Sequence, residues 1–280
     1  MRILVTGGSG YLGTHLRRYF SADDYSRRSH LDILNPLDAR MVEDYEVVIH
    51  LAAYLDKSPE AAEQCFRVNA EGTANLLRNM KANTAFIYAS TKDVYGPHAA
   101  QFDVVPETCP TDYADQSALE WSKLIGERYV EYYARTNGFR AAIFRLSTVY
   151  APLTEGNEPG FVGNYVEAVK YGNPVRLPGR GEPVRDLLHV DDLARACFAF
   201  IDAPTLLGTY NVGGGRDNST SLRDLMRTIA EQMGCNEVID EVDPPPSPVP
   251  MVYVSDLTKI ETELGWKPEI SIAEGVKTLF

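Results

Sequence analysis

Three glycines spaced by three, Gly7, Gly10 and Gly13, stand in Thr6-Gly-Gly-Ser-Gly-Tyr-Leu-Gly13 behind the short apolar run Ile3-Leu4-Val5. The chemistry such a turn serves is capture of a pyrophosphate. Glycine permits the tight turn and lets backbone N–H groups approach an anion at the positive end of the helix that follows. A plain strand-to-helix turn needs about one glycine, so the triplet in a strand–turn–helix setting points to a dinucleotide. At the end of a second strand, a carboxylate would accept the ribose hydroxyls of NAD and an arginine would favour the phosphate of NADP. That region reads Asp24-Tyr25-Ser26-Arg27-Arg28-Ser29. Arg27 and Arg28 tilt the expectation toward NADP, with NAD still open and a solvated basic pair as the bland alternative. Further on, Arg176, Arg180 and Arg185 stand against the single acid Glu182, a composition suited to holding a second anion.

These residues need a scaffold, and the chain supplies alternating apolar runs and amphipathic stretches. Strands are expected at 3–5, near 25–29, at 46–51, 85–89 and 141–144. Helices are expected at 11–20, from Pro36 with Asn35 as cap, from Ser58-Pro59 to about Lys81, and from the capping box Ser117-Ala-Leu-Glu120 to Asn137-Gly138. Continuously apolar strands separated by helices predict a Rossmann-type doubly wound parallel sheet, an α/β fold. After about residue 151 glycine and proline become frequent, with helices expected near 191–202, 221–234 and 271–280. The expected division is a dinucleotide-binding domain over 1–152, with returning segments near 185–213, and a small α/β substrate domain over 153–280. Asp243-Pro-Pro-Pro-Ser-Pro-Val-Pro250 reads as an ordered extended segment.

The 280 residues carry a net charge of −12, which repels phosphate backbones and anionic lipid and argues against nucleic-acid and membrane-surface roles. The acidity lies on both flanks, and residues 140–216, which hold the three arginines, are neutral. Cys65, Cys109, Cys197 and Cys235 are widely spaced without a CxxC, so neither a zinc site nor a disulfide scaffold is expected. No signal-peptide pattern precedes the first strand and no apolar run reaches eighteen residues, so a cytoplasmic protein is expected. His50 and His189 lie in apolar runs and read as packed structural histidines.

With these motifs in hand, the chain resembles the extended short-chain dehydrogenase/reductases, the NAD-dependent epimerase/dehydratases acting on nucleotide sugars. The resemblance is carried by the glycine turn, Leu31-Asp-Ile33, His50-Leu-Ala-Ala53, Asn69-Ala-Glu-Gly-Thr73, Ala89-Ser-Thr-Lys-Asp-Val-Tyr-Gly96, Ser122-Lys-Leu-Ile-Gly-Glu127, Phe144-Arg-Leu-Ser-Thr-Val-Tyr150, Arg185-Asp-Leu-Leu-His-Val-Asp-Asp192 and Leu264-Gly-Trp-Lys-Pro268. It implies that Gly7, Gly10, Tyr11, Leu12 and Gly13 cradle the cofactor, that Asp32 and Ile33 contact adenine, and that Ala52 and Ala53 pass the ribose. It implies further that Asn69 supports the site, that Thr91 hydrogen-bonds the sugar, and that Lys123 binds the nicotinamide ribose. Arg185 and Thr148 would bind the substrate diphosphate, with Arg176 nearby. A homodimer through helices 59–81 and 117–137 is a further implication.

One departure outweighs the matches. The family pairs Tyr-x-x-x-Lys on one helix face, so that the ammonium lowers the phenol's pKa and the phenolate takes the hydroxyl proton. Four residues before Lys123 stands Leu119, which carries no proton. Three accounts stay open: another acid/base group, with Tyr113 and the pair Lys92 and Asp93 as candidates; a catalytically silent NAD(P)-binding protein; or an introduced substitution. Lys92 as acid and Asp93 as base would fit a dehydratase-like reaction.

Overall fold

The computed structural model describes residues 1–241 and 250–280, so residues 243–249 of the proline-rich stretch lie outside the described residues. The chain opens with β1 (Ile3–Thr6), α1 (Tyr11–Phe20), β2 (Asp23–Tyr25), α2 (Pro36–Ala39) and β3 (Val47–His50). Asn35 caps α2 through its side-chain oxygen, 3.0 Å from the amide of Leu37. The second strand ends earlier than its sequence suggests. Ser26 and Ser29 close a capping box that winds Arg27–Ser29 into a 3₁₀ turn, which consumes the residues expected to extend the strand.

The expected long helix after Ser58 is continuous but irregular. It comprises a 3₁₀ turn at Pro59–Ala61, α3 (Ala62–Cys65), a π-helical stretch Phe66–Gly72 and α4 (Thr73–Leu77). β4 (Ala85–Thr91), α5 (Ala118–Asn137) and β5 (Arg140–Leu146) follow. The reciprocal capping box Ser117/Glu120 starts α5 and Gly138, at φ +76°, ends it, as the sequence predicts.

The remaining chain builds a smaller lobe and one return. β6 (Thr148–Tyr150), α6 (Phe161–Tyr171), β7 (Val175–Leu177) and β8 (Val184–His189) leave the main sheet, and α7 (Val190–Asp202) and β9 (Leu207–Val212) come back to it. β10 (Ser219–Ser221), α8 (Leu222–Met233), β11 (Ile239–Glu241), β12 (Val252–Tyr253), α9 (Thr258–Leu264) and α10 (Ile272–Lys277) complete the described chain. The main sheet is parallel throughout, ordered β2-β1-β3-β4-β5-β9. β8 belongs to the smaller sheet with β6, β10 and β12, and β7 pairs with β11. α6 and α9 are elements the composition after residue 151 did not resolve.

Alternation along the strands sorts the core into two layers. Val5, Ile49, Ile87, Phe144 and Val212 face α1 and α7, packing on Leu16, Leu193 and Phe200. Leu4, Val48, Phe86, Tyr88 and Ile143 face the other way, against Leu76, Leu77, Val130 and Ala134 of α4 and α5. The second layer contains one buried ion pair. Glu127 on α5 receives Arg145 Nη2 at 2.7 Å and Nε at 3.1 Å, and Ser90 Oγ at 2.5 Å. Ser90 and Arg145 are register partners on β4 and β5, so three elements meet at this one carboxylate.

Removing one side of such a pair strands the other charge without water, which costs about 3–5 kcal/mol. Glu127→Ala should therefore lower unfolding stability by that amount in a urea titration, and Glu127→Leu combined with Arg145→Met should recover most of it. A loss below about 1 kcal/mol for Glu127→Ala would show that the pair does not bear on the fold.

Candidate active site

The glycine turn sits at the carboxyl ends of β1 and β3. Gly7 has φ +69°, and a Cβ there would come within 2.8 Å of Ala52 N; a Cβ on Gly13 would come within 2.1 Å of Gly7 O. Only glycine fits at either position. α1 begins at Gly10 with no side-chain cap, which leaves its first N–H groups free for an anion. Thr6 Oγ1 receives Ala52 N at 3.2 Å and pairs with His50 Nδ1 at 2.6 Å, and His50 Nε2 meets Thr73 Oγ1 at 2.8 Å. Burial, aided by Lys123, lowers His50 to about 3, so it is a neutral packing residue.

Asp24, which the sequence reading passed over in favour of its basic neighbours, lies at the end of β2. One carboxylate oxygen, Oδ1, is buried and unpartnered, and a Cβ on Gly8 would lie 2.6 Å from it. Its other oxygen accepts from Ser26 Oγ at 2.9 Å. Arg28 reaches a different target. It donates to Ser9 O at 3.0 Å and to Gly156 O at 2.7 Å, tying the glycine turn to the loop after β6. Tyr11 Oη bonds Ala151 O at 2.8 Å and His15 Nε2 meets Pro152 O at 2.8 Å, so the loop is laced over the start of α1. Arg27 is exposed. Asp32 caps Leu34 N at 2.9 Å, and Ile33 is buried against the position where Gly72 lacks a side chain.

Asn69 stands in the π-helical stretch and is fully buried. Its amide accepts Tyr54 N at 2.7 Å, returns a bond to Tyr54 O at 2.9 Å and reaches Ser122 Oγ at 2.9 Å. It thereby joins the loop following β3, which contains Ala53, to the first turns of α5. On α5, Leu119 is 6% exposed and packs with Ala61, Cys65 and Tyr54. Lys123 donates to Ala89 O at 2.8 Å. Burial, opposed by Glu127, lowers its ammonium to about 8.

At the end of β4, Thr91 Oγ1 receives Asp93 N at 3.1 Å. Lys92 Nζ meets Asp93 Oδ1 at 2.5 Å, and Lys57, which sequence reasoning missed because it lies in no motif, meets Oδ2 at 2.7 Å. Burial alone would raise the Asp93 carboxyl, but Lys92 and Lys57 outweigh it and hold it well below the ordinary carboxylate range. Lys57 also pairs with Glu120 at 2.7 Å. Lys57, Lys92, Asp93, Glu120 and Tyr253 line a cavity of about 270 Å³ between the lobes.

The structure does not bring every candidate to this place. Tyr113 is 65% exposed and stacks on Trp121, directed at solvent. Arg176 lies on β7 and pairs with Asp240 of β11 on an exposed edge, so the substrate role expected for it has no geometric support. Arg185, on β8, is held by Val184 O at 2.7 Å and Met251 O at 3.1 Å beside Asp93, and Thr148 is the register partner of Leu187 on the same strand. Cys65, Cys109 and Cys197 are buried and Cys235 is exposed, all four free.

A parallel sheet flanked by helices, with a glycine-rich turn between its first strand and an uncapped first helix, defines the class of dinucleotide-binding α/β folds. The chain belongs to the NAD dependent epimerase/dehydratase family, whose sequence profile matches residues 3–213. It is 28% identical to the CDP-paratose 2-epimerase of Salmonella typhi, over 100% of this chain and 98% of that protein. It is likewise 28% identical to the dTDP-glucose 4,6-dehydratase of Salmonella typhimurium, over 99% and 91%. The crystal structure of the UDP-glucose 4-epimerase of Thermotoga maritima with UDP-glucose superposes with a TM-score of 0.85 at 27% identity, covering 99% of this chain and 97% of that one. Among the described residues, no helix is long and apolar enough to cross a membrane.

The lowered pKa of Lys123 has a signed consequence. Between about 8 and the ordinary 10.5 the unfolded chain binds the proton that the folded chain has released, so this group makes stability rise with pH across that window. The stability difference between the wild type and Lys123→Met, from urea unfolding at pH 7 to 10.5, should shift in favour of the wild type as pH rises above 8. A difference independent of pH would show that Lys123 is not depressed.

Proposed function

We propose that the protein is a redox-neutral nucleotide-sugar epimerase or dehydratase in which Lys92 and Asp93 replace the motif tyrosine. The observation that carries this reading is the pairing of two facts. Leu119 stands in an apolar cluster and offers no proton, while Lys92 and Asp93 line the adjoining cavity beside Thr91. Bound nicotinamide would supply reversible hydride transfer with the sugar carbon. Gly7, Gly10, Gly13 and the open start of α1 would hold its pyrophosphate, and Lys123 its ribose. Thr91 would orient the sugar hydroxyl, Lys92 would present the proton and Asp93 the acceptor. Arg185 would hold the diphosphate.

For the adenine-side ribose, the buried and unpartnered Asp24 Oδ1 beside Gly8 supports NAD, because a carboxylate accepts from ribose hydroxyls and repels a phosphate. Arg28, which would have favoured NADP, is engaged by the loop after β6. Phe66, Tyr129 and Tyr132, exposed on the π-helical stretch and α5, support a homodimer through those helices. Free cysteines support a reducing, cytoplasmic location.

The lysine clamp on Asp93, together with Leu119, also favours a second reading, a catalytically silent NAD(P)-binding protein. Incubation with UDP-, dTDP-, GDP- and CDP-sugars, followed by mass spectrometry and NMR, separates the two. Product from at least one sugar is expected, and Leu119→Tyr should raise turnover. Tight cofactor binding with no product from any of the four classes would establish the silent reading. Titration should show tighter binding of NADH than NADPH, with Asp24→Asn reducing or reversing the preference. A wild-type preference for NADPH would return the ribose site to Arg27.

A further inference from the structure

Lys57 lies in the loop between β3 and Pro59, beyond the motif His50-Leu-Ala-Ala53, yet it closes the charged wall of the cavity. Its ammonium spans Asp93 Oδ2 and Glu120 Oε1 at 2.7 Å each. Glu120 is fixed in turn, since its Oε2 receives Ser117 N at 2.8 Å and Ser117 Oγ at 2.5 Å as the cap of α5. Lys92 occupies the other oxygen of Asp93 and rests 4.7 Å over the Tyr253 ring. Lys57 therefore ties three elements together at the cavity: the loop after β3, the end of β4 and the start of α5.

We infer that Lys57 is the positioning residue that sets the basicity of Asp93 and must release it before Asp93 takes a proton. The inference rests on the reading of Asp93 as the base. Two cations on one carboxylate make it a poor proton acceptor, and one of them has to leave for the base to work. Exposure decides which. The Lys57 side chain is 48% exposed and sits on a loop, whereas that of Lys92 is 9% exposed and covered by Tyr253. Lys57 can rehydrate its ammonium in water, and Lys92 has no such outlet. A sugar hydroxyl entering the 270 Å³ cavity competes for the same lysine donors and so favours release. The oxygen freed is Oδ2: the O–H bond of the sugar hydroxyl breaks, its electron pair stays on the sugar oxygen, and the proton forms an O–H bond at Oδ2, neutralising the carboxylate. Around Asp93 the remaining charged and titratable groups are then Lys92, Arg185 and Tyr253, with Glu120 behind Lys57.

The test uses the full chain with ¹³C-carboxyl-labelled aspartate, the Asp93 resonance being assigned by its loss in Asp93→Asn. In the wild type the Asp93 carboxyl should titrate below the other aspartates. In Lys57→Met, and in Lys57→Gln as a second variant, its midpoint should rise by at least one pH unit, a tenfold change in acidity, while Lys57→Arg should stay near the wild type. The acid limb of any turnover profile should move the same way. An Asp93 midpoint unmoved in the Met and Gln variants would overturn the inference, as would an Arg variant displaced as far as Met. Absence of turnover with every nucleotide sugar would instead count against the functional reading and leave the titration result standing.

Discussion

The geometry of the site depends on the Glu127–Arg145 pair beneath it. Both side chains are almost completely withdrawn from water, so their separation would be costly and their alignment is tightly set. Ser90 adds a third partner, and Arg145 also lies 4.8 Å over the Tyr95 ring. Because Glu127 is one helical turn beyond Lys123, locking it to β4 and β5 fixes the rotation and height of α5. Gly126 makes this approach feasible, since a Cβ there would come within 2.2 Å of Tyr88 Oη. Tyr88 in turn donates to Lys123 O at 3.2 Å. The same lock that orients Lys123 toward Ala89 therefore sets Leu119 and Glu120 relative to the strand end carrying Thr91, Lys92 and Asp93.

The cofactor end obeys a different constraint, close approach of backbone to backbone. Gly7 and Gly13 leave no room for side chains, and the surroundings are arranged to keep that gap: Thr6 holds Ala52, and His50 holds Thr6. The loop after β6 then reaches across to Tyr11, His15 and Arg28. The smaller lobe is in this way fastened to the first helix by side chains from the dinucleotide half, and the cavity between the lobes lies at the carboxyl ends of the parallel strands, where open α/β sheets place their ligands.

Much of this was legible in the sequence, for reasons that differ by residue. The glycine spacing, the capping boxes and the apolar strands announce themselves because each is a local pattern with a local cause. The end of β2 was misplaced because a serine capping box competes with strand extension over the same few residues. Asp24 was overlooked beside two arginines, since nothing local says which of the polar residues between 24 and 28 turns toward the glycine loop. Arg176 joined Arg185 in the reading because both lie in one neutral segment, but two strands of different sheets carry them apart. Lys57 had no signal at all. It meets Asp93 and Glu120, 36 and 63 residues along the chain, and no short-range pattern encodes that.

Leu119 gives the clearest case of a residue whose lack of a titratable group bears on the rest. A phenol at that position would need a polar partner and access to the substrate oxygen. The leucine instead completes an apolar contact with Ala61 and Cys65, which seals the start of α5 to the helix containing Asn69. Lys123 is buried with the carbonyl of Ala89 as hydrogen-bond partner and no phenol four residues before it on the helix. On the proposed reading, proton transfer then has to come from the charged wall of the cavity, where Lys92, Asp93 and Lys57 are already linked. That wall differs from a tyrosine in one physical respect. A phenol is tuned by a single fixed ammonium, whereas Asp93 is tuned by two, one buried and one free to leave. If Asp93 is the base, binding of a sugar and release of that base would be the same event, and substrate entry would prepare the proton acceptor that a phenol beside a fixed ammonium provides in advance.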